Sequence, residues 1–369
     1  MAPCEADLPL ATPKRQRTLV LDAIAGKDAR DLVQNLSALA ARDGRMWLGG
    51  DEGRSLYALR RLGDHHYGKA TTVKLKEYGL AGGKEDGESD IEGLARDGQR
   101  LWLVGSHSRR RRKHDTAKGD PLTLVEESSP NTHVLGCLRL DDSGEPVAGS
   151  GQRLALDAAT GTDALTQALA ADRRIGPFLA LPSKDNGLDI EGLTAREDRV
   201  LVGLRGPVLR GIAVVVDLRL GGLDTGASRL TLTRHRLRYL QLSGLAVRDL
   251  AVVPGCDDVL LLAGPTMTQT GPCTIYRWRD ALKSEAPEAS GVFRVEEPEP
   301  LLWIRDGRPG RPSPDQSHPA GSDKPEGLEV QRHDDELIAW VAYDDPLAAR
   351  REIGETKVRV RLDGFVLPD

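Results

Sequence analysis

No stretch of this sequence is long and apolar enough to cross a bilayer as a helix. The opening segment, MAPCEADLPLATPKRQRT, lacks the apolar core of a secretory signal, so a cytoplasmic protein is expected. Cysteine is sparse, at Cys4, Cys137, Cys256 and Cys273. Their spacing fits neither a disulfide framework nor a zinc site, and they read as reduced thiols. A Cys256–Cys273 pairing stays open if their strands are neighbours. An excess of one charge is missing too: a formal net charge of −5 gives no global electrostatic case for nucleic acid. There is no Gly-rich phosphate loop, no G-x-S-x-G elbow and no H-E-x-x-H pair.

Turn chemistry is abundant, with 40 glycines and 22 prolines in 369 residues. It punctuates an internal repeat. Asn35-Leu36-Ser37-Ala38-Leu39-Ala40 precedes an Asp-Gly turn and Met46-Trp47-Leu48-Gly49. Asp90-Ile91-Glu92-Gly93-Leu94-Ala95 precedes a similar turn and Leu101-Trp102-Leu103-Val104-Gly105. Asp189-Ile190-Glu191-Gly192-Leu193-Thr194 leads to Val200-Leu201-Val202-Gly203. A divergent copy, Val247-Arg248-Asp249-Leu250-Ala251-Val252, leads to Val259-Leu260-Leu261-Leu262. The last, Lys324-Pro325-Glu326-Gly327-Leu328-Glu329-Val330, leads to Leu337-Ile338-Ala339-Trp340. Each copy is a β-hairpin, and further short strands follow it.

The pattern predicts an all-β chain: a β-propeller of five four-stranded blades, its ring closed by an N-terminal strand over residues 18–21. Residues 1–16 are expected to form a disordered tail and 17–369 one propeller domain. The gap between Glu92 and Glu191 leaves room for a sixth blade. It also holds a helix candidate at residues 163–174, with Leu165, Ala168, Leu169 and Ala171 near helical spacing. Residues 105–131 and 305–323 read as loops. Trp47, Trp102 and Trp340 follow the repeat and are expected between blades.

Aligning the leucines of the first strands makes Ser37, Glu92, Glu191, Arg248 and Glu326 equivalent. In a propeller these strands line the central channel, so the five residues form a ring. The glycine after each glutamate permits close strand packing or a bulge. Converging carboxylates raise one another's pKa and need compensation. A hard divalent cation such as Ca²⁺ is one remedy, with Ser37, Glu92, Glu191 and Glu326 as ligands. The other is Arg248 bridging the carboxylates, in which case the ring only pins the blades together. Asp90 and Asp189 stand two residues before their glutamates and share their face in a regular strand.

Arg109 opens a run of five basic residues, 109–113, and Arg205 and Arg210 flank Gly206-Pro207 after the equivalent strand of the third blade. Both groups are expected on one face of the propeller, where they would meet an anionic ligand. His107, in Gly105-Ser106-His107-Ser108, is a further candidate for catalysis.

The ring pattern resembles that of the soluble calcium-activated nucleotidases, or apyrases. That resemblance implies a five-bladed propeller with a central Ca²⁺ held by serine and glutamate side chains. Arg248 departs from it, a guanidinium standing where an uncharged oxygen ligand belongs. A fuller resemblance is to a bacterial propeller family known only as a domain of unknown function. It is carried by Ser89-Asp90-Ile91-Glu92-Gly93-Leu94-Ala95 with Gly105-Ser106-His107-Ser108, by Gly203-Leu204-Arg205-Gly206-Pro207, by Arg248-Asp249-Leu250 and by Lys324-Pro325-Glu326-Gly327-Leu328. It implies a fold and no activity. The Glu-Gly-Leu element is also similar to that of the esterase-like phytase propellers.

Two functions follow as expectations. One is a hydrolase, in its fullest form a metal-dependent phosphoester hydrolase, acting on a phosphorylated or other anionic small molecule at the channel mouth. Glu92, Glu191, Asp90 and His107 would be catalytic, and Arg109, Arg205, Arg210 and Arg248 would bind the ligand. The other is a non-enzymatic propeller that binds a small ligand or a protein, with a structural Glu–Arg ring. Metal-assisted lactonase-like chemistry also suits the carboxylates but has no distinctive motif here.

Overall fold

The computed structural model describes residues 10–368 apart from 25, 43, 82–86, 112–125, 224, 284–293 and 306–321. The first nine residues of the expected tail, the basic run beyond Arg111 and most of the 305–323 loop lie outside the described residues. The chain enters through β1 (Arg15–Val20) and α1 (Gly26–Gln34), so the closing strand begins slightly earlier than its apolar residues suggest.

The first unit is β2 (Leu36–Arg42), β3 (Arg45–Gly50), β4 (Ser55–Gly63) and β5 (His66–Lys74). In the second, β6 (Ile91–Asp97) and β7 (Arg100–Gly105) are followed by a small hairpin of β8 (Arg109–Arg111) and β9 (Glu126–Ser128). The unit then resumes with β10 (Leu135–Arg139) and β11 (Gln152–Leu154). Next comes α2 (Ala164–Ala171), capped by Asp163. The third unit is β12 (Asp189–Arg196), β13 (Arg199–Leu209), β14 (Ile212–Gly221) and β15 (Arg229–Gln241). The fourth is β16 (Ala246–Val252), β17 (Val259–Gly264), β18 (Cys273–Trp278) and β20 (Glu299–Ile304), with β19 (Val295–Glu296) paired to β15. In the fifth, β21 (Lys324–His333) and β22 (Glu336–Asp344) are joined by β24 (Val358–Leu367), which also pairs the short β23 (Arg351–Ile353).

β1 supplies the fourth strand of that last unit. It runs antiparallel to β24, with Leu19 opposite Val360. The sheets thus divide into five four-stranded units, and no sixth unit occupies the gap between Glu92 and Glu191 among the described residues. The five innermost strands β2, β6, β12, β16 and β21 contact one another in a closed circle. This is a β-propeller.

Five apolar clusters fill the spaces between successive units. Trp47 lies between the first and second, Trp102 between the second and third, and Trp340 between the fifth and first. The helix candidate becomes α2, whose Leu165 and Leu169 join the cluster between the second and third units. Cys137, Cys256 and Cys273 are free thiols, so Cys256 and Cys273 do not pair.

One irregularity repeats. Each inner hairpin shifts register at the equivalent residue, Ser37, Glu92, Glu191, Arg248 or Glu326, and the third shifts once more, at Arg205 on its second strand. Such a bulge leaves its residue unpaired and re-aims the side chain. The following glycines serve close approach. A Cβ on Gly93 would lie 2.6 Å from Leu193 Cβ, and one on Gly327 would lie 2.8 Å from Leu39 Cδ2. In the fourth unit Asp249 holds this place instead. Its buried carboxylate accepts from the backbone N–H of Leu193 at 3.4 Å, Leu250 at 2.7 Å and Leu328 at 2.6 Å, tying three inner strands together.

Candidate functional site: the carboxylate mouth of the channel

The five bulged residues stand near the start of the inner strands, at one mouth of the channel. Arg248 is its electrostatic centre. Its Nη1 lies 2.8 Å from Glu326 Oε1 and 3.2 Å from Glu191 Oε2, and its Nη2 donates to the Pro265 carbonyl at 3.0 Å. Glu191 also forms a close ion pair with Arg205. Arg205 lies 3.6 Å from Asp189 and donates to the Met267 carbonyl at 2.9 Å. Ser37 is buried, and its hydroxyl donates to the Ile91 carbonyl at 2.6 Å. Glu92 keeps some exposure and has no hydrogen-bond or ion-pair partner among the described residues.

These contacts decide the fit of a divalent cation. Glu191 and Glu326 are turned onto a guanidinium, which would repel the metal, and Ser37 is spent on a carbonyl. Among the described residues one trio of His, Cys, Asp or Glu brings its ligand atoms within 4.8 Å of one another, and it lies outside the ring. The set Ser37, Glu92, Glu191 and Glu326 does not form a Ca²⁺ cage; Arg248 is the counter-charge instead.

Connecting turns bring further acids to the mouth. Asp90 accepts from Ser106 Oγ and from Arg110. Asp51 follows β3, with Oδ1 buried and unbonded. Asp344 ends β22 and holds Lys324 at 2.8 Å. Burial raises all of these acids. Glu92 is held well above the ordinary carboxylate range by desolvation, then by Asp90, Glu191 and Glu326. Glu326 is held up likewise, with Arg248 opposing. Asp51 is pushed up to about 7 by desolvation and then by Asp344 and Asp90. Asp189 reaches about 7 through desolvation, against the pull of Arg205. Such a cluster exchanges protons near neutrality, as acid–base sites require.

Other sequence candidates lie elsewhere. His107 is fully buried, and its ring nitrogens face the Gly105 carbonyl and Asp163 Oδ2, each at 2.9 Å. Burial opposes charge on His107, but Asp163 outweighs it and raises the imidazole pKa. With both ring nitrogens engaged, His107 anchors Asp163, the α2 cap, and presents neither nitrogen to a substrate. His133 stands edge-on to it with ring centroids 5.1 Å apart, and burial and then His107 press it down to about 4. The arginines do not converge as expected. Arg205 points into the ring, Arg210 sits exposed in the turn between β13 and β14, and Arg109 pairs through its backbone with Ser128. Arg110 is the basic-run residue that reaches Asp90. Asp323, just before β21, binds the Leu347 N–H and Arg350 as a turn cap.

Asp51, Asp344 and Lys324 escaped the sequence reading, and Arg110 entered it only as a member of the basic run. Asp51 and Asp344 lie at the ends of second strands, where the repeat gives no register. Lys324 opens the last repeat, but no other copy has a cation there.

The sequence model of the family described as "Protein of unknown function (DUF3616)" matches residues 35–360. The chain belongs to that family. No curated protein matches the sequence. Among solved structures, Myxococcus xanthus glutaminyl cyclase is similar over 97% of this chain and 98% of its own, at 10% identity and a TM-score of 0.45. Staphylococcus aureus virginiamycin B lyase is similar over 91% of this chain and 69% of its own, at 9% identity and a TM-score of 0.34. The β-propeller domain of Myceliophteria thermophila Cps50 (Swd1) is similar over 90% and 96%, at 11% identity and a TM-score of 0.35. No helix of the described residues is long and apolar enough to cross a membrane.

Proposed function

We propose that this propeller is a hydrolase working by general acid–base chemistry at its carboxylate mouth. Glu92 is the proton donor. The observation that carries this reading is a half-buried carboxyl with no hydrogen-bond or ion-pair partner among the described residues, held well above the ordinary carboxylate range by desolvation and neighbouring acids, beside acids that have cationic or backbone partners or lie in the turns around it. A raised pKa in a cleft is what a general acid needs. Asp189, with a pKa of about 7, is the candidate base for the attacking water. Glu191, locked between Arg205 and Arg248, provides a fixed negative charge next to them. The metal-dependent form of the reaction is set aside because Arg248 fills the position a cation would need. The anionic substrate loses its support at this mouth, where Arg205 is committed to Glu191, so the reading here is an uncharged polar substrate.

The test is a panel of chromogenic esters, glycosides and phosphoesters, with wild type against Glu92→Gln. The expected result is turnover of one class, with kcat/KM lower by at least ~100-fold in the variant and an unchanged melting temperature. Full activity in Glu92→Gln rejects the assignment.

A second reading has its own observation. Arg248 bridges the third, fourth and fifth units, which is the geometry of structural hardware in a non-enzymatic binding propeller. Absence of turnover across the whole panel would favour it.

A further inference from the structure

The opposite mouth of the channel is basic. A cavity of about 840 Å³ opens where the inner strands end, five or so residues beyond the ring. At the rise of a strand that is roughly 16 Å away. Seven arginines line it against three carboxylates, Asp64, Asp97 and Glu329. The guanidinium groups come from different elements: Arg17 from β1, Arg61 from β4, Arg96 from β6, Arg196 from β12 and Arg332 from β21. They surround the opening instead of clustering on one strand.

Arg17 is the unusual member. It alternates with Leu19 on the inward face of β1 and is only 8% exposed. Its Cζ lies 3.7 Å from the Trp340 ring centroid and 5.4 Å from that of Tyr67. Nε and Nη1 are buried with no hydrogen-bond partner. Burial lowers its pKa. Glu329, the half-buried acid of this cavity, is itself pushed up to about 8 by desolvation, so it does not fully neutralise Arg17 near pH 7. The fold has no need of charge here, since a methionine would cover Trp340 without orphaning two donors. At the rim, Arg61 pairs with exposed Asp64 and Arg196 with half-exposed Asp257, partnerships that exchange readily with a ligand.

We propose that this cavity is a binding site for a small molecule carrying two or more phosphate groups. Guanidinium forks match phosphate oxygens in pairs, and the volume is that of a small-ligand site. Arg17 supplies the buried contact at the floor, and the rim arginines supply the rest. The guanidinium groups stand on separate elements around the opening, so a ligand that engages several of them carries phosphates at more than one position, which is why the site calls for at least two. The site is independent of the carboxylate mouth.

The experiment is calorimetric titration of the full chain with pyrophosphate, with ADP and with sulfate as control, at constant ionic strength. Pyrophosphate is expected to bind at least about 10-fold more tightly than sulfate and to raise the melting temperature. Arg17→Met should fold with an equal or higher melting temperature and lose about 10-fold or more in pyrophosphate affinity. Arg332→Gln, an exposed rim change that leaves the core intact, should lose several-fold. Glu92→Gln should bind pyrophosphate as wild type does, which separates this site from the hydrolytic one. ADP binding more tightly than pyrophosphate would identify a nucleotide as the source of the phosphates; equal binding would show that the diphosphate alone is recognised. Wild type that prefers pyrophosphate no more than sulfate overturns the proposal, as does Arg17→Met with wild-type affinity.

Discussion

Arg248 reaches Glu326 at 2.8 Å across the boundary between the fourth and fifth units, and the same Nη1 lies 3.2 Å from Glu191 of the third. One guanidinium therefore couples three inner strands through charge, one residue before Asp249 couples the same three through backbone hydrogen bonds. Replacing Arg248 with Met should strand Glu326 beside a buried acid cluster. The expected loss is about 3 kcal/mol at pH 8. It should shrink toward pH 5, because Glu326, already held above the carboxylate range, takes up a proton as the pH falls. Urea unfolding of both proteins at the two pH values checks it.

Asp51 gives the opposite sign. Its carboxyl is pushed up to about 7, chiefly by burial, and one oxygen is unbonded. Such a group favours folding when protonated and opposes it when ionised. Stability is therefore fully present below about pH 4, the unfolded value, and is lost as the pH rises through about 7. Asp51→Asn should be neutral at pH 4 and stabilise by about 1 kcal/mol at pH 8. Thermal melts at both pH values should show the gain only at the higher one.

His107 and Asp163 define a pH window. Asp163 falls to about 2 because His107 outweighs its burial, so its contribution is present above about pH 4 and lost as the pH falls through about 2. His107 has a raised pKa, so its contribution is complete below about 6.5 and is lost as the pH rises through its folded value. His107→Asn should cost about 3 kcal/mol between these limits and less outside them. A pH series of denaturation midpoints for the two proteins tests it, and a constant difference would argue against an imidazolium.

The repeat made the architecture legible because one irregularity is copied five times. The leucine alignment placed Ser37, Glu92, Glu191, Arg248 and Glu326 together without knowledge of the bulge, since every copy shifts at the same point. The glycines were readable for the same reason: Gly93 and Gly327 sit where neighbouring strands leave no room for a Cβ. Side-chain direction in the turns was not readable. Arg205 and Arg210 are five residues apart, yet one enters the ring and the other faces solvent, because β13 runs on past the channel before turning. Arg17 was hidden differently. Taken alone, its strand offers Leu19 and Val20 as signals, and nothing local says that the arginine will lie against a tryptophan more than three hundred residues later.

The closure that joins β1 to β24 also orders events during synthesis. β1 is made well before β24 and must wait, without its antiparallel partner, until the last strand of the ring has been made. Until then Trp340 lacks the guanidinium that lies over it in the finished ring. A nascent or truncated chain could assemble most of its sheets and still have no floor to its basic cavity, so occupation of that cavity would distinguish finished molecules from incomplete ones.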